Sequence, residues 1–278
     1  MSTKNTRKGF DSKRTACVAA GLVLIVTALQ ANAAGQPRIA IIIDDVGYTL
    51  SLGRRATKLP GPISIAILPA APRGKLLAEE ANAAGKDVLL HLPLEAIHDD
   101  GLAEPGEISL DMSRGEFART FARDMQSVPH AIGVNSHRGS LLTQHPGHMF
   151  WLMEEITAHG DLIFVDSHTT HASVALRLAR ESGVPAVKRD VFLDPDESPA
   201  TVAREFERLK KLAREKGLAV GIGHPYLATL ELLEQELPRL AAEGIELISI
   251  SELVQLKTES IRVSRLGHKQ NGGDDGFL

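Results

Sequence analysis

Acidic and imidazole side chains follow aliphatic runs at several separate places in this sequence. Asp44 and Asp45 come directly after RIAIII, and His91 comes directly after VLL. His137 ends the segment GVNSH, and His224 follows GIG. Carboxylates and imidazoles are the ligands that zinc and similar divalent ions prefer, and both groups also transfer protons near neutral pH. The pattern therefore indicates a metal site with proton-transfer groups beside it.

The adjacent carboxylates of Asp44 and Asp45 can share one site only if the backbone turns. On an extended strand, their side chains point to opposite faces. A turn directly after Ile43 would bring both toward one centre, and Gly47 supports such a turn. One carboxylate could then bind the ion while the other takes a proton from bound water. The alternative is a helix N-cap beside a solvated acid.

The three histidines also have structural alternatives. His91 ends an apolar run, where it could instead be a core residue with a hydrogen-bond partner. His137 lies in a polar loop in which Asn135 could simply be a cap. His224 could protonate a leaving group or have a structural role only. Glu95, four residues after His91, could approach the same ion if the chain turns there.

Alternating strands and helices are predicted to position these residues. Continuous aliphatic runs are typical of strands buried on both faces, and helical patterns separate them. We predict an α/β fold, a deformed (β/α) barrel of about seven to eight parallel strands with the helices outside. The predicted strands cover residues 38–43, 63–68, 87–92, 131–135, 162–165, 187–193, 219–222 and 246–250. The predicted helices cover residues 74–84, 113–127, 149–158, 173–182, 199–216, 227–243 and 251–257.

Polar residues are concentrated where these strands end. The carboxyl ends of barrel strands meet at one mouth, and polar groups buried there cost free energy unless they are paired. We therefore interpret the set as substrate contacts or as supports for the metal ligands. It comprises Glu95, Asn135, Arg138, Asp166, Ser167, His168, Arg189 and Asp194.

The two ends of the chain differ from the predicted barrel domain, which spans residues 34–257. A basic start, an apolar run over 16–29 and the sequence Ala31-Asn32-Ala33 predict a signal peptide over 1–33, and therefore export to the periplasm. The apolar run is shorter than the ~20 residues of a membrane span. Residues 258–278 contain few apolar side chains and are predicted to be a disordered tail.

Composition narrows the choice of metal and of partner. Thirty-one basic and 35 acidic residues give a net charge of -4, which argues against a nucleic-acid partner. Cys17 is the only cysteine and lies in the predicted signal peptide, so the mature chain would have no thiolate ligand. A divalent metal held by nitrogen and oxygen, with zinc as the first choice, is the expected cofactor.

Seven motifs in order resemble the divergent polysaccharide deacetylases, relatives of the NodB-type carbohydrate esterases. They are IAIIIDDVG, ISIAILP, VLLHLPLE, GVNSHRGS, FVDSHTT, VFLD and GIGHP, and the resemblance covers residues 38 to about 257. It implies hydrolysis of an N- or O-acetyl group on a sugar polymer. On this resemblance Asp44 matches the general base and Asp45 the first metal ligand. His91 matches the first histidine of a His-x-x-x-His pair, and His224 matches the general acid.

Two departures from the family pattern leave questions open. Glu95 stands where the second histidine of the pair is usual, so the third ligand is either Glu95 or, as we favour, His137. The segment from Asn135 to Arg138 replaces the usual Arg-Pro motif. The expected function is a metal-dependent deacetylase acting on a cell-envelope or other glycan. The alternative is a metal-containing, glycan-binding envelope protein that has lost catalysis.

Overall fold

The computed structural model describes residues 35–97 and 104–271, with side chains up to residue 260. The predicted signal peptide lies outside the described residues. Contacts divide the chain into Met1–Gln36 and Pro37–Leu278. Only residues 35 and 36 of the first unit are described, so the fold below is that of the second.

The strands of the described residues form one parallel sheet, which confirms the predicted α/β barrel class. Their order is β6-β5-β4-β3-β2-β1-β8-β7, with β9 also paired to β1. Every pairing is parallel. The strands are β1 (Arg38–Val46), β2 (Ser64–Ile67), β3 (Val88–Leu94), β4 (Ala131–Arg138), β5 (Ile163–Asp166), β6 (Ala186–Lys188), β7 (Val191–Phe192), β8 (Leu218–Gly223) and β9 (Glu246–Leu247).

Helices connect the parallel strands and cover the sheet. The α-helices in the described ranges are α1 (Leu50–Thr57), α2 (Gly74–Ala83), α3 (Arg114–Ser127), α4 (Pro146–Ala158), α5 (Ala175–Glu181), α6 (Pro199–Lys216), α7 (Leu227–Glu236) and α8 (Ile250–Asn271). Short 3-10 segments span Leu142–Gln144 and Leu237–Glu243. None of the helices in the described part of the chain has the length and apolar character needed to cross a lipid bilayer.

The two faces of β1 enter different apolar clusters. Ile39, Ile41 and Ile43 pack in the larger cluster with the helices. Ala40 and Ile42 pack in a smaller cluster, with apolar side chains from β2, β3, β5, β6, β8 and the start of α8. Because side chains alternate along a strand, this smaller cluster fills the inside of the curled sheet. The inner face therefore continues from Ala40 and Ile42 to position 44.

The sheet curls because its two edges are consecutive in the chain. The single strand predicted over 187–193 is divided into β6, which pairs with β5, and β7, which pairs with β8. At the break, Arg189 donates its backbone N–H to Asp166 on one side, and Asp190 donates to Val220 on the other, at 3.0 and 2.9 Å. One interrupted strand thus serves both edges.

Two helices differ from the sequence prediction. Helix α1 was not predicted. Helix α8 continues to Asn271 and so overlaps the segment from residue 258 onward that we predict to be a disordered tail. The added segment has Gly267 and no proline, and its other residues tolerate a helix even though few are apolar. Residues 272–278 lie outside the description.

Candidate active site at the carboxyl ends of the strands

A bulge in β1 turns both adjacent carboxylates toward one centre. The pairing of β1 with β2 shifts register between Ile43 and Val46. Asp45 within this shift has a left-handed backbone with φ of 55°. Such a conformation is unfavourable for a non-glycine residue and typically persists at functional sites. The expected turn after Ile43 is therefore a bulge inside a strand that runs on to Val46.

Asp45, His91 and His137 come together at this edge. Oδ1 of Asp45 lies 3.1 Å from Nε2 of His91 and 3.0 Å from Nδ1 of His137. The two ring nitrogens are 3.0 Å apart. Oδ1 of Asp45 is buried and has no hydrogen-bond partner among the described residues. These are the only three described residues whose ligand atoms group closely enough to hold a metal ion.

These distances suit a shared ion. Ligands bound to zinc at about 2.0–2.1 Å lie roughly 3 Å or slightly more from one another. The unpaired carboxylate oxygen would gain a partner in the ion, which removes the cost of leaving it buried and unsatisfied. The donor set of one carboxylate and two imidazoles also fits zinc chemistry.

Asn135 fixes the orientation of His91. Asn135 is fully buried, and its amide Nδ2 donates to Oδ1 of Asp44 at 2.7 Å. Its Oδ1 therefore faces Nδ1 of His91, at 2.9 Å, and accepts a hydrogen bond from that nitrogen. When His91 loses a proton to bind an ion, the remaining proton stays on Nδ1, and the lone pair of Nε2 faces Asp45 and His137.

Glu104 lies beside His137 as Asn135 lies beside His91. Its Oε2 lies 2.9 Å from Nε2 of His137, and its Oε1 accepts from Arg138 at 3.3 Å. A proton on Nε2 leaves the lone pair of Nδ1 facing Asp45. Carboxylates in this position commonly orient metal-binding histidines. Glu104 is not among the predicted residues, because it lies in an irregular loop rather than at a strand end.

Electrostatics separate the roles of the two aspartates. Burial raises the pKa of Asp44 above its ordinary value, although His91 opposes the shift. For Asp45, burial is outweighed by His137 and His91, which hold its pKa far below the usual range. Burial lowers the pKa of His91, but Asp44 and Asp45 outweigh it and raise that pKa to about 9. Asp45 thus remains a carboxylate, while Asp44 is the better proton acceptor.

His224 is held by a buried carboxylate. Asp194 is 3% exposed, and its Oδ1 lies 2.9 Å from Nδ1 of His224. Its Oδ2 accepts from the backbone N–H of His224 and from the hydroxyl of Thr229, at 2.6 and 2.7 Å. Burial lowers the pKa of His224, but Asp194 and the nearby Asp44 outweigh it and raise that pKa. Nε2 of His224 lies 3.6 Å from Oδ2 of Asp45, so the imidazole borders the candidate metal site.

A cavity of about 180 Å³, the catalytic pocket, opens above these groups. Ser167 borders it, and its buried Oγ has no hydrogen-bond partner among the residues described. Arg189 also borders it, with its guanidinium carbon 4.6 Å from the centre of the Phe192 ring. Arg189 is one of the predicted contacts, whereas Phe192 was not predicted, because it follows a strand break that periodicity did not reveal.

Three predicted residues lie outside the ligand cluster. Oε2 of Glu95 accepts from the backbone N–H of Leu110 at 2.6 Å, so this carboxylate is engaged in a loop. Arg138 borders the catalytic pocket and contacts Glu104. The carboxylate of Asp166 accepts from the backbone of His168 and does not line the pocket. Of the two alternatives for the third ligand, His137 is therefore the one that faces Asp45 and His91.

Comparison with known proteins finds similar chains in other bacteria. YibQ of Escherichia coli, an uncharacterized protein, is 35% identical over 217 residues, which cover 78% of this chain and 67% of YibQ. An uncharacterized protein of Agrobacterium tumefaciens has a crystal structure that matches with a TM-score of 0.75 at 21% identity, covering 80% of this chain and 91% of that one.

A third match connects the fold to known enzymes. The catalytic domain of a peptidoglycan N-acetylglucosamine deacetylase from Eubacterium rectale matches with a TM-score of 0.51 at 15% identity. It covers 78% of this chain and 89% of that domain, and the likeness is one of fold. A family model described as divergent polysaccharide deacetylase matches residues 41–254. The chain therefore belongs to the divergent polysaccharide deacetylase family.

Proposed function

We propose that this chain is a metal-dependent deacetylase that hydrolyses acetyl groups on a glycan. The observation that carries the proposal is the mutual approach of Asp45, His91 and His137, whose three ligand atoms lie within 3.1 Å of one another. These residues would hold a divalent ion, with zinc the best match to the donor set. Such an ion, when bound, polarises a carbonyl and acidifies water.

Proton transfer is assigned to two groups that flank the ligands. Asp44 lies on the inner face of β1, with Oδ2 at 3.6 Å from Nε2 of His91. Its raised pKa favours accepting the proton of the attacking water. His224, oriented by Asp194, delivers a proton to the departing amine or alcohol. Both groups border the catalytic pocket.

The size of the catalytic pocket suits a small acyl group. At about 180 Å³ it falls below the 300–1,000 Å³ that is typical of sites enclosing a whole drug-sized ligand. The acetyl group would enter while the sugar polymer remains at the mouth. The unpaired hydroxyl of Ser167 is available to bind its carbonyl oxygen, whereas the guanidinium of Arg189 donates to the backbone carbonyls of Ser167 and His168 and holds that segment in place.

We also propose that the protein acts in the cell envelope after export. The support is the basic, apolar and small-residue pattern of residues 1–33. Mass spectrometry of the protein recovered from a periplasmic extract should give a mature N-terminus at Ala34. An intact N-terminus in that extract would contradict the cleavage prediction.

The experiment that tests the activity combines metal analysis with acetate release. Wild-type protein is expected to bind about one zinc ion and to release acetate from acetylated chito-oligosaccharides or peptidoglycan. Asp45→Ala should lose both metal and turnover. His224→Ala should retain the metal and lose turnover. Asp161→Ala, a change at an exposed residue, is the matched control and should alter neither property.

Each outcome discriminates between proposals. Full metal content in Asp45→Ala would contradict the ligand assignment. Metal without acetate release from any acetylated substrate would favour the glycan-binding alternative over catalysis.

A further inference from the structure

A second cavity adjoins the catalytic pocket across a shared wall. It has a volume of about 410 Å³ and lies between α5 and the carboxyl end of β6. The wall is the segment 166–169. Ser167 and Thr169 line the catalytic pocket, whereas Asp166 and His168 line the second cavity. A polymer that crosses this segment would contact both cavities.

Positive charge is concentrated in the second cavity, which we call the basic groove. Its cationic lining residues are Arg177, Arg180 and Lys188. Arg177 pairs with Glu181 at 3.0 Å. Among the side chains described, Arg180 and Lys188 have no carboxylate within 4.0 Å. Because the whole chain has a net charge of -4, this excess is a local feature and not part of a general basic surface.

Asp166, a carboxylate that lines the basic groove, forms no ion pair with Lys188. Oδ1 of Asp166 accepts from the backbone N–H of His168 at 2.9 Å, and its Oδ2 accepts from the hydroxyl of Ser173 at 2.8 Å. These hydrogen bonds commit both oxygens to the wall. The Lys188 ammonium instead lies 3.4 Å from Nε2 of His168.

His168 acts as a hydrogen-bond acceptor for Lys188 and supplies no countercharge. An ammonium group has only donors, so Nε2 of the imidazole must present its lone pair. Burial and the charge of Lys188 both lower the pKa of His168, which agrees with a neutral ring. His168 also has a left-handed backbone with φ of 51°, a constraint that fixes its place in the wall. Lys188 is therefore oriented by His168 and has no carboxylate within ion-pair distance among the described residues.

We propose that the basic groove binds an anionic substituent, a carboxylate or a phosphate, on the sugar next to the one being deacetylated. Arg and Lys are the side chains that recognise these groups, and charge-assisted hydrogen bonds to them are among the stronger polar contacts. The position of this sugar next to the one that carries the acetyl group rests on the proposed function, whereas the binding of the anion does not. The substrate class is then an acetylated acidic glycan, in preference to a neutral polymer.

The first test is the binding of saccharides that carry no acetyl group and so cannot turn over. Calorimetry would compare a carboxylated, a phosphorylated and a neutral oligosaccharide of equal length on the wild-type protein. We expect at least one anionic saccharide to bind about tenfold or more tightly than the neutral one, with an affinity that falls as salt is raised. The anionic saccharide that binds more tightly identifies the substituent as a carboxylate or a phosphate.

Variants assign that binding to the groove. The double variant Arg180→Gln/Lys188→Gln should lose the preference for the anionic saccharide and bind the neutral one unchanged. Lys211→Gln, at an exposed lysine of α6, is the matched control and should keep the preference. Equal binding of anionic and neutral saccharides by the wild type would overturn the proposal. A preference that survives in the double variant would overturn it too.

A second measurement keeps the two proposals separate. With acetylated substrates, the double variant should raise KM for the acidic glycan about tenfold and leave kcat nearly unchanged. Anion binding without any acetate release would support the groove and contradict the deacetylase. Acetate release with no effect of the double variant on KM would contradict the groove alone.

Discussion

Asn135 offers a sharp test of how the site is organised. Its amide donates to Asp44 and accepts from His91 while being fully buried. Asn135→Ala leaves one oxygen of Asp44 and one nitrogen of His91 without partners. Each buried unpaired group costs about 1–3 kcal/mol, so we expect a loss of about 2–6 kcal/mol in the free energy of unfolding. Loss of the group that orients His91 should also weaken metal binding by about 10- to 100-fold.

The assay separates stability from metal affinity. Urea unfolding in the presence of a chelator measures the first, and competition with a chromophoric chelator measures the second. Asn135→Asp has nearly the same shape, still accepts from His91, and loses the donor to Asp44. It should therefore retain metal and lose turnover. Asn82→Ala, on the exposed side of α2, should behave as wild type in both assays.

Two results would contradict the role assigned to Asn135. If Asn135→Ala binds zinc as tightly as wild type, then His91 does not depend on this amide for its orientation. If Asn135→Asp loses metal to the same extent as Asn135→Ala, the donor to Asp44 matters more than the acceptor for His91.

The remaining predictions concern three other positions. Glu104→Ala should weaken zinc binding about 10- to 100-fold. Glu104→Gln should weaken it less, because glutamine still accepts a hydrogen bond from His137. Equal losses of zinc affinity in a chelator titration would show that Glu104 does not act by orienting His137. Burial raises the pKa of Asp124 from 3.8 to about 6, so its charge destabilises the fold above that pH. Asp124→Asn should therefore match wild type below pH 3.8 and gain up to about 3 kcal/mol above pH 6 in urea unfolding; a gain independent of pH would contradict this. Gly133→Ala would put a methyl group 2.5 Å from a backbone oxygen of β5 and should lower the free energy of unfolding by about 1–3 kcal/mol. Unchanged thermal stability would show that β4 and β5 can move apart to accommodate the methyl group.

Much of the fold could be predicted because the residue pattern within each strand or helix indicates that element. The run from Ile39 to Ile43 is aliphatic at every position, which is typical of a strand covered on both sides. Its alternation also places Asp44 on the same inner face as Ile42. The clustering of His91 and His137 followed from one further rule, that parallel strands bring their carboxyl ends to one edge.

The rest depended on tertiary structure that no local pattern encodes. The left-handed backbone of Asp45 arises where β1 shifts register against β2. Glu104 belongs to a loop whose path is set by contacts distant in sequence, so its approach to His137 left no periodic signal. The division of 187–193 into β6 and β7 likewise reflects which neighbour each half meets. The strand propensity of these residues does not determine which neighbouring strand each half pairs with.

The position of β1 between β2 and β8 sets a constraint on how the protein is made. Arg38 pairs with Leu218 and with Glu246, so the first strand acquires its last neighbours only when nearly the whole chain has emerged. Pairings this distant in sequence form slowly and leave aliphatic edges exposed in the meantime. The proposed ion ligands are complete once His137 has been synthesised, well before His224. We therefore expect nascent chains to need protection by chaperones until the strand pairings form, and to present the proposed ion ligands before the proposed proton donor.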